Sequence, residues 1–368
     1  MKIKDIRASV HTTSIEVPLL PGRVSGYGRQ EQKEFVFCEV ETDEGLTGVS
    51  ITGHFLARAV VVALEQHFLP AVQDLDARDL EAVHQRVWQA LNPRTMTGVV
   101  SSALSLLDIA LWDIAGKIQE RSVAALLGGA RDTLPVYVTF GFPQYDRDQL
   151  AEAARLQVAQ GFTALKMVVG VDPGGWREDA RRIRVVREAV GDDIDLMIDA
   201  NYLFTPTEAR YLCRAVEDCG LTWFEEPLHQ NDARALAELR RHTAIPLAAG
   251  QMEGHRWRLR ELVEHQAVDI LQPNACYCGG YTEARKAAHL AQIYNLPVAH
   301  GGGWPLISMH TLAGLMNGWI LEWHIGMAQV GQQLFPGSPR PVNGRITIPD
   351  KPGLGLEVDR EALRSTHA

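Results

Sequence analysis

The sequence predicts a βα barrel attached to a separate α+β unit, and three observations carry that prediction. Strand-like segments are followed by helical ones as far as Lys117, eight short apolar runs then alternate with amphipathic segments, and polar residues recur within or just after those runs.

The first segment, to about Phe55, reads as strands. Val36, Cys38 and Val40 alternate with Phe37, Glu39 and Glu41, and Asp43-Glu44-Gly45 supplies a turn before Leu46, Gly48 and Ser50, giving a three-stranded antiparallel meander. From Leu56 to Lys117 the period becomes helical, with Ala103, Leu106, Leu107, Ala110, Leu111 and Ile114 forming a stripe at i, i+3, i+4 spacing. Leu127-Gly128-Gly129 closes this region and Pro135 opens the next.

The eight apolar runs are Val136 to Phe140, Ala164 to Val169, Asp195 to Ile198, Thr222 to Phe224, Pro246 to Ala249, Val268 to Leu271, Pro297 to Ala299 and Trp319 to Leu321. A doubly wound open sheet shows the same alternation, so the polar residues help to decide. Lys166 lies within the second run; Asp199, Glu225, Gln251, Asn274, His300 and Glu322 follow the third to the eighth. Asp199 to Glu225, Glu225 to Gln251 and Asn274 to His300 are each 26 positions apart, the length of one strand-loop-helix-loop unit. In a closed barrel the strand ends meet at one mouth, whereas an open sheet would leave Lys166 and Glu322 far apart.

Composition excludes several classes. The 368 residues are 46% hydrophobic and 22% charged, ordinary for a folded globular chain. Thirty-six Lys and Arg against 45 Asp and Glu give a net charge of −9, which argues against a general nucleic-acid or anionic-membrane binder. The N-terminal apolar run Ala59 to Leu64 is far shorter than the roughly 18 residues of a membrane span. Met1 to Val10 lacks the apolar core of a signal peptide, so the expected location is cytoplasmic. Five thinly spread cysteines without a CxxC pair read as reduced thiols, Cys276 and Cys278 as small buried hydrophobes. His242, His265 and His289, and the arginines of 86–94 and 181–187, read as packing or solvated helix positions.

The mouth residues suit one chemistry. Asp199, Glu225 and a third oxygen ligand after the next strand match the preference of Mg²⁺ for oxygen. Lys166, between Leu165 and Met167, is costly in an apolar strand unless it faces a polar cavity or a partner. His300 precedes Gly301-Gly302-Gly303, a loop that allows close approach of substrate, and histidine suits acid-base work near neutrality. Mg²⁺ on a substrate carboxylate, aided by Lys166, would stabilise the charge that develops as His300 removes the neighbouring C–H proton. From the resulting enediolate a β-hydroxyl leaves, a proton returns, or a ring opens or closes.

Five segments together resemble the enolase superfamily, in its mandelate racemase-like subgroup. They are Ser105-Leu106-Leu107-Asp108-Ile109-Ala110-Leu111-Trp112-Asp113-Ile114-Ala115-Gly116-Lys117, Leu127-Gly128-Gly129, Met197-Ile198-Asp199-Ala200-Asn201, Trp223-Phe224-Glu225-Glu226-Pro227 and Ile348-Pro349-Asp350-Lys351-Pro352-Gly353-Leu354-Gly355. The resemblance implies an α/β fold: an α+β capping domain (1–125), a modified (β/α)₇β TIM-type barrel (126–335), and a C-terminal segment (336–368) returning to the cap. It implies Mg²⁺ on Asp199, Glu225 and a third ligand, His300 as seventh-strand base, and Glu322 as the acid that hydrogen-bonds the substrate carboxylate. It also implies a homo-oligomer, and cap loops that read the substrate, here about 20–30 and 52–55. Arg23, Tyr27, Arg29 and His54 are the candidates there.

Four departures from the family pattern stand out. The second-strand pair Lys-x-Lys reads Lys166-Met167-Val168, so the second lysine base is missing and Lys/His two-base racemisation is disfavoured. The third metal position carries Gln251 rather than Glu, leaving Gln251 or Glu253 as the third ligand. The aspartate that orients the histidine reads Asn274, expected to accept an imidazole N–H and hold the ring. The strand before His300 is one residue short.

The leading expectation is an acid-sugar dehydratase, a hydro-lyase giving a 2-keto-3-deoxy product from an aldonate or aldarate. His300, Lys166, Glu322, Asn274 and Tyr202 are its catalytic candidates, and Asn201, Arg23, His54, Tyr277 and Glu253 its substrate-binding candidates. The acid that assists the leaving hydroxyl is His300 itself, Tyr202, Tyr277, His255 or His324. The alternatives are a lactone cycloisomerase, a one-base epimerase, or an inactive metal or sugar-acid binding protein.

Overall fold

The computed structural model describes residues 1–16, 30–53, 55–92 and 97–367. The expected meander is present as β1 (Ile3–Glu16), β2 (Gln30–Thr42) and β3 (Thr47–Thr52), antiparallel in the order β1-β2-β3. Both of its faces are buried. Val36, Cys38 and Val40 pack on the cap helices, while Phe35, Phe37, Val49 and Ile51 join the main core on the other side.

The cap helices are α1 (Ala57–Val62), a π-helical turn at Ala63–Phe68, α2 (Leu69–Val72), α3 (Leu80–Leu91), α4 (Gly98–Ile118) and α5 (Val123–Leu127). Helix α4 is long and apolar enough to cross a membrane, but most of it is buried, as expected of a helix covered on every side. Its two aspartates fix the cap. Asp108 accepts from the Thr282 backbone N–H and hydroxyl and meets His84, while Asp113 accepts from the backbone N–H groups of Val49 and Leu354 and from Lys117.

The barrel strands are β4 (Thr133–Gly141), β5 (Ala164–Val168), β6 (Asp195–Asp199), β7 (Leu221–Glu225), β8 (Leu247–Ala249), β9 (Ile270–Leu271) and β10 (Leu321–His324). Between them run α6 (Arg147–Ala159), α7 (Gly175–Val190), α8 (Pro206–Ala215), α9 (Ala233–Arg240), α10 (His255–Glu264), α11 (Gly280–Ile293) and α12 (Pro305–Gly314). Capping boxes at Asp146/Gln149 and Thr205/Glu208 start α6 and α8.

Parallel pairing runs β10-β4-β5-β6-β7-β8-β9, and bridges from Leu271 to Val298 and from Val298 to Gly318 close the ring. The seventh strand is therefore a single bridge, and the eighth runs on to His324 rather than stopping at Leu321. Tyr137, Ala164, Met197, Trp223, Ala248, Ile270, Ala299 and Ile320 form one interior cluster with a residue from each of the eight strands. Large Tyr137 and Trp223 are offset by three alanines, which fills the barrel as a packed core.

The chain ends with α13 (Ile325–Leu334), β11 (Arg345–Thr347) antiparallel to β4, and α14 (Arg360–Ser365). The segment returns to the cap: Val123 donates to the Gly353 carbonyl, Thr12 to that of Thr366, and Arg360 pairs with Glu39. The five cysteines are all free and buried. Within 181–187 the expectation of a solvated face fails at Arg182, which is buried and donates to the Tyr145 carbonyl.

Candidate active site

Side chains on a strand alternate, so the residues two positions beyond the interior layer point into the barrel as well. These are Thr139, Lys166, Asp199, Glu225, Gly250, Gln272, Gly301 and Glu322. The apolar layer thus carries a polar one above it. At its centre the Lys166 ammonium lies 2.5 Å from Glu225, 3.1 Å from Asp199 and 3.1 Å from Glu322, and all four side chains are buried. Glu225 also accepts from Trp223 Nε1 (3.0 Å) and Gln272 Nε2 (2.9 Å), and Glu322 from the Thr139 hydroxyl (2.5 Å) and the Gly303 N–H (2.8 Å).

Three carboxylates around one ammonium leave surplus negative charge in a buried space. Burial alone would lower the Lys166 pKa, but Asp199, Glu225 and Glu322 override it and hold the ammonium well above the ordinary lysine value. Burial pushes the Glu225 carboxyl up, against Lys166 and with the like charges of Asp199 and Glu322. Burial acts in the same sense on Glu322, where Lys166, His324, His300 and the Thr139 hydroxyl outweigh it and hold it well below the usual range.

Gly250, at φ 123°, breaks the strand alternation just before Gln251. Gln251 Nε2 donates to Glu226 at 2.6 Å, while its buried Oε1 has no hydrogen-bond partner. A Cβ added to Gly301 would lie 2.7 Å from that Oε1, 2.9 Å from Glu225 Oε1 and 2.9 Å from Gln272 Nε2, so side chains from three strand ends converge on the face that glycine leaves open. Among the described residues no set of three His, Cys, Asp or Glu is placed to hold a metal, so a metal between Asp199 and Glu225 would draw on an amide oxygen. The orphaned Oε1 and the surplus carboxylates fit a hard cation.

His300 is buried, and burial pushes its pKa down to about 4 despite Glu322. Asn274 does not accept from it as expected. Its Oδ1 accepts from the Cys276 N–H (2.9 Å) and its Nδ2 donates to the Gly301 carbonyl (2.8 Å), which orients the amide so that Nδ2 faces His300 Nε2 at 3.4 Å. Asn274 is therefore a donor, the imidazole proton belongs on Nδ1, and that buried atom has no hydrogen-bond partner.

A cavity of about 350 Å³ opens above this layer. Asp199, Asn201, Tyr202, Gln251, Tyr277 and Glu322 line it, with Lys33 and Phe55 from the cap and His324 from the last strand. Lys166, Glu225, Asn274 and His300 lie off its wall. The Tyr202 hydroxyl is committed to Glu226 at 2.5 Å, and Tyr277 accepts from Trp304 Nε1 at 3.1 Å. Two candidates fall elsewhere. Glu253 is held by Asn231 (3.2 Å) and Arg258 (3.1 Å) and lines a separate cavity rather than this wall. His255 is buried against Glu283 at the seam between α10 and α11, beside a cavity that cap residues His84 and Trp88 share. Arg23, Tyr27, Arg29 and His54 lie outside the described residues. Sequence reasoning missed Gln272 and Glu226; the first was available from the two-residue period counted on from Ile270.

The chain matches the mandelate racemase / muconate lactonizing enzyme N-terminal domain over residues 7–128 and the enolase C-terminal domain-like family over residues 149–362. It belongs to the mandelate racemase-like branch of the enolase superfamily. Among its relatives, D-galactarolactone cycloisomerase of Agrobacterium fabrum is 33% identical over 99% of this chain and 98% of that protein. Arabinonate dehydratase of Saccharolobus solfataricus is 30% identical over 88% of each. A racemase from Streptomyces coelicolor A3(2), solved with bound magnesium, superposes with a TM-score of 0.88 at 28% identity, over all of both chains. The enolase-superfamily relatives thus include both acid-sugar dehydratases and cycloisomerases.

Proposed function

We propose that this protein is a Mg²⁺-dependent enzyme that removes the proton α to the carboxylate of an acid sugar, and that dehydration to a 2-keto-3-deoxy acid follows. In this reading residues 126–335 carry the chemistry, and residues 1–125 with 336–368 form the cap. The observation that carries it is the buried layer of Asp199, Glu225 and Glu322 around Lys166, with the unpartnered Gln251 oxygen beside it. Asp199, Glu225 and Gln251 Oε1 would hold the Mg²⁺, which supplies positive charge to the substrate carboxylate.

Lys166 adds a fixed ammonium, and Glu322 addresses the substrate carboxylate. His300 is the base in this reading: with its pKa pushed down to about 4 it is neutral near pH 7, and it takes the substrate proton once its Nε2 lone pair turns from Asn274 Nδ2 toward the cavity. The Tyr202 proton is engaged by Glu226, so departure of the 3-hydroxyl is assisted from the wall by Tyr277, whose oxygen already accepts from Trp304, or by His324, whose Nδ1 accepts from the Met327 N–H. Cycloisomerisation of a sugar lactone is the second reading, favoured by the near full-length match to D-galactarolactone cycloisomerase.

Proton NMR in D₂O with Mg²⁺ and pooled aldonic acids, aldaric acids and lactones, against an EDTA control, separates the readings. Exchange of the C2 proton with a deuterated deoxy-keto product supports dehydration, and lactone turnover without a keto product supports cycloisomerisation. No Mg²⁺-dependent exchange on any acid sugar refutes both. His300→Asn should abolish exchange, and an unchanged rate removes His300 as base.

A further inference from the structure

We infer that Glu226 is the positioning residue that makes Gln251 a metal ligand, by fixing which end of its amide faces Asp199 and Glu225. The inference rests on the Mg²⁺ reading above and adds a residue to it.

An amide side chain has two ends of opposite character, and only the oxygen serves a cation. Nothing in the covalent structure of glutamine selects the oxygen, so a neighbour must. Glu226 does so here: its Oε2 accepts from Gln251 Nε2 at 2.6 Å, which leaves Gln251 Oε1 without a hydrogen-bond partner on the side where it nears Glu225 Oε1 and Gly301. Rotating the amide by half a turn would set its oxygen against the Glu226 carboxylate and present N–H groups where the cation belongs. Acceptor would face acceptor in a buried space, which is unfavourable.

Glu226 is itself fixed. Its Oε1 accepts from the Tyr202 hydroxyl at 2.5 Å and from Asn231 Nδ2 at 3.4 Å, its N–H donates to the Ala248 carbonyl, and its side chain is fully buried. Strand alternation would send residue 226 to the face opposite Glu225. A left-handed φ of 42° follows the strand end instead, and the carboxylate reaches Gln251. A carboxylate at position 251 would need no such selection, because both of its oxygens accept. Glu226 is thus a compensation for the amide: a buried acceptor stands behind the ligand shell rather than in it.

The test is a set of four variants, Glu226→Leu, Glu226→Gln, Gln251→Glu and the swap Gln251→Glu/Glu226→Gln. Each is melted without metal and titrated calorimetrically with MgCl₂, with Asp199→Asn as the control for the site. Glu226→Leu frees the amide and should weaken Mg²⁺ at least about tenfold, the usual scale for losing a residue that orients a ligand. Glu226→Gln can still present an oxygen to Gln251 Nε2 and should bind more tightly than the leucine variant. Gln251→Glu sets two carboxylates 2.6 Å apart and should lower the metal-free melting temperature, which the swap restores.

Wild-type affinity in Glu226→Leu overturns the inference, and so does a swap whose melting shift is the sum of the single shifts. Wild-type protein that takes up no Mg²⁺, or Asp199→Asn that binds as well as wild type, overturns the metal reading instead. The metal-free melting cycle still judges the Gln251–Glu226 pairing in that case.

Discussion

Replacing Lys166 with methionine measures how much the buried carboxylate layer depends on its one ammonium. Methionine keeps the stem volume and removes the charge that Glu225, Asp199 and Glu322 share at 2.5, 3.1 and 3.1 Å. At an effective dielectric near 20 each contact corresponds to about 5–7 kcal/mol of gross attraction, much of it offset by the desolvation of four buried ions. Burial already pushes Glu225 up to about 8 in the wild type, so the loss is limited when Glu322, which Lys166 holds low, takes up a further proton in place of the missing ammonium. That proton costs about 1.4 kcal/mol for each pH unit above an unfolded carboxyl pKa of about 4.3, hence about 5 kcal/mol near pH 8 and about 2 kcal/mol near pH 6.

The sign follows from the same argument. The carboxyl concerned has its folded pKa raised above the unfolded value, so the penalty is absent below the unfolded pKa and grows as pH rises toward the folded one. Relative to wild type, Lys166→Met should therefore lose about 3–5 kcal/mol near pH 8 and about half as much near pH 6. Denaturant unfolding in EDTA, followed by tryptophan fluorescence, reads it directly, since Trp223 and Trp319 contact each other inside the barrel. A difference below about 1 kcal/mol near pH 8, or one that stays constant between the two conditions, refutes the reasoning.

Three further outcomes are expected. Gly301→Ala places a methyl 2.7 Å from Gln251 Oε1 and 2.9 Å from Glu225 Oε1, so calorimetric Mg²⁺ binding should fall by more than tenfold while far-UV circular dichroism stays native. Asp113→Ala strands the Val49 and Leu354 N–H groups and Lys117, and should cost about 3–5 kcal/mol in denaturant unfolding, with the C-terminal segment becoming sensitive to limited proteolysis. Burial holds His310 down to about 4, with its Nε2 donating to Leu354, so it binds fewer protons folded than unfolded and its stability contribution disappears as pH falls from about 6.5 to 4. His310→Gln should flatten that acid loss by about 2 kcal/mol between pH 7 and pH 5, read as the change in unfolding midpoint.

The barrel was legible because its strands, buried on both faces, read as short apolar runs, and because the spacing of 26 positions recurs where the site residues fall. The polar layer was legible for the same geometric reason: Lys166, Asp199, Glu225 and Glu322 each lie two residues beyond an interior residue. Gln272 obeys that period from Ile270 and escaped only because Asn274, two residues further, falls at the position where the family carries its aspartate. Glu226 could not be found this way. Its direction depends on a φ of 42°, which no local propensity of glutamate announces. The hydrogen bonds that settle Glu253 and Asn274 come from Arg258, Asn231, Cys276 and Gly301, partners that spacing alone does not assign.

The two amides that depart from the family pattern are the strongest argument that the site is retuned rather than decayed. A position that has merely lost its acid should keep surroundings that suit a carboxylate, meaning donors on every side. At 251 the neighbour is Glu226, 2.6 Å from Nε2, and at 274 it is the Gly301 carbonyl, 2.8 Å from Nδ2. Each amide nitrogen thus donates to an oxygen that a carboxylate would repel, while the other end of each meets what suits an oxygen: the Cys276 N–H at 274 and the carboxylate-rich cation position at 251. Environments complementary to both ends of both side chains arise when the surroundings are shaped around the amides. Gln251→Glu and Asn274→Asp, which restore the family's residues, should therefore each destabilise the protein by about 1–3 kcal/mol, through buried acceptors set against acceptors. Unfolding midpoints equal to or above wild type in both variants would mean the amides are losses to which nothing has adapted.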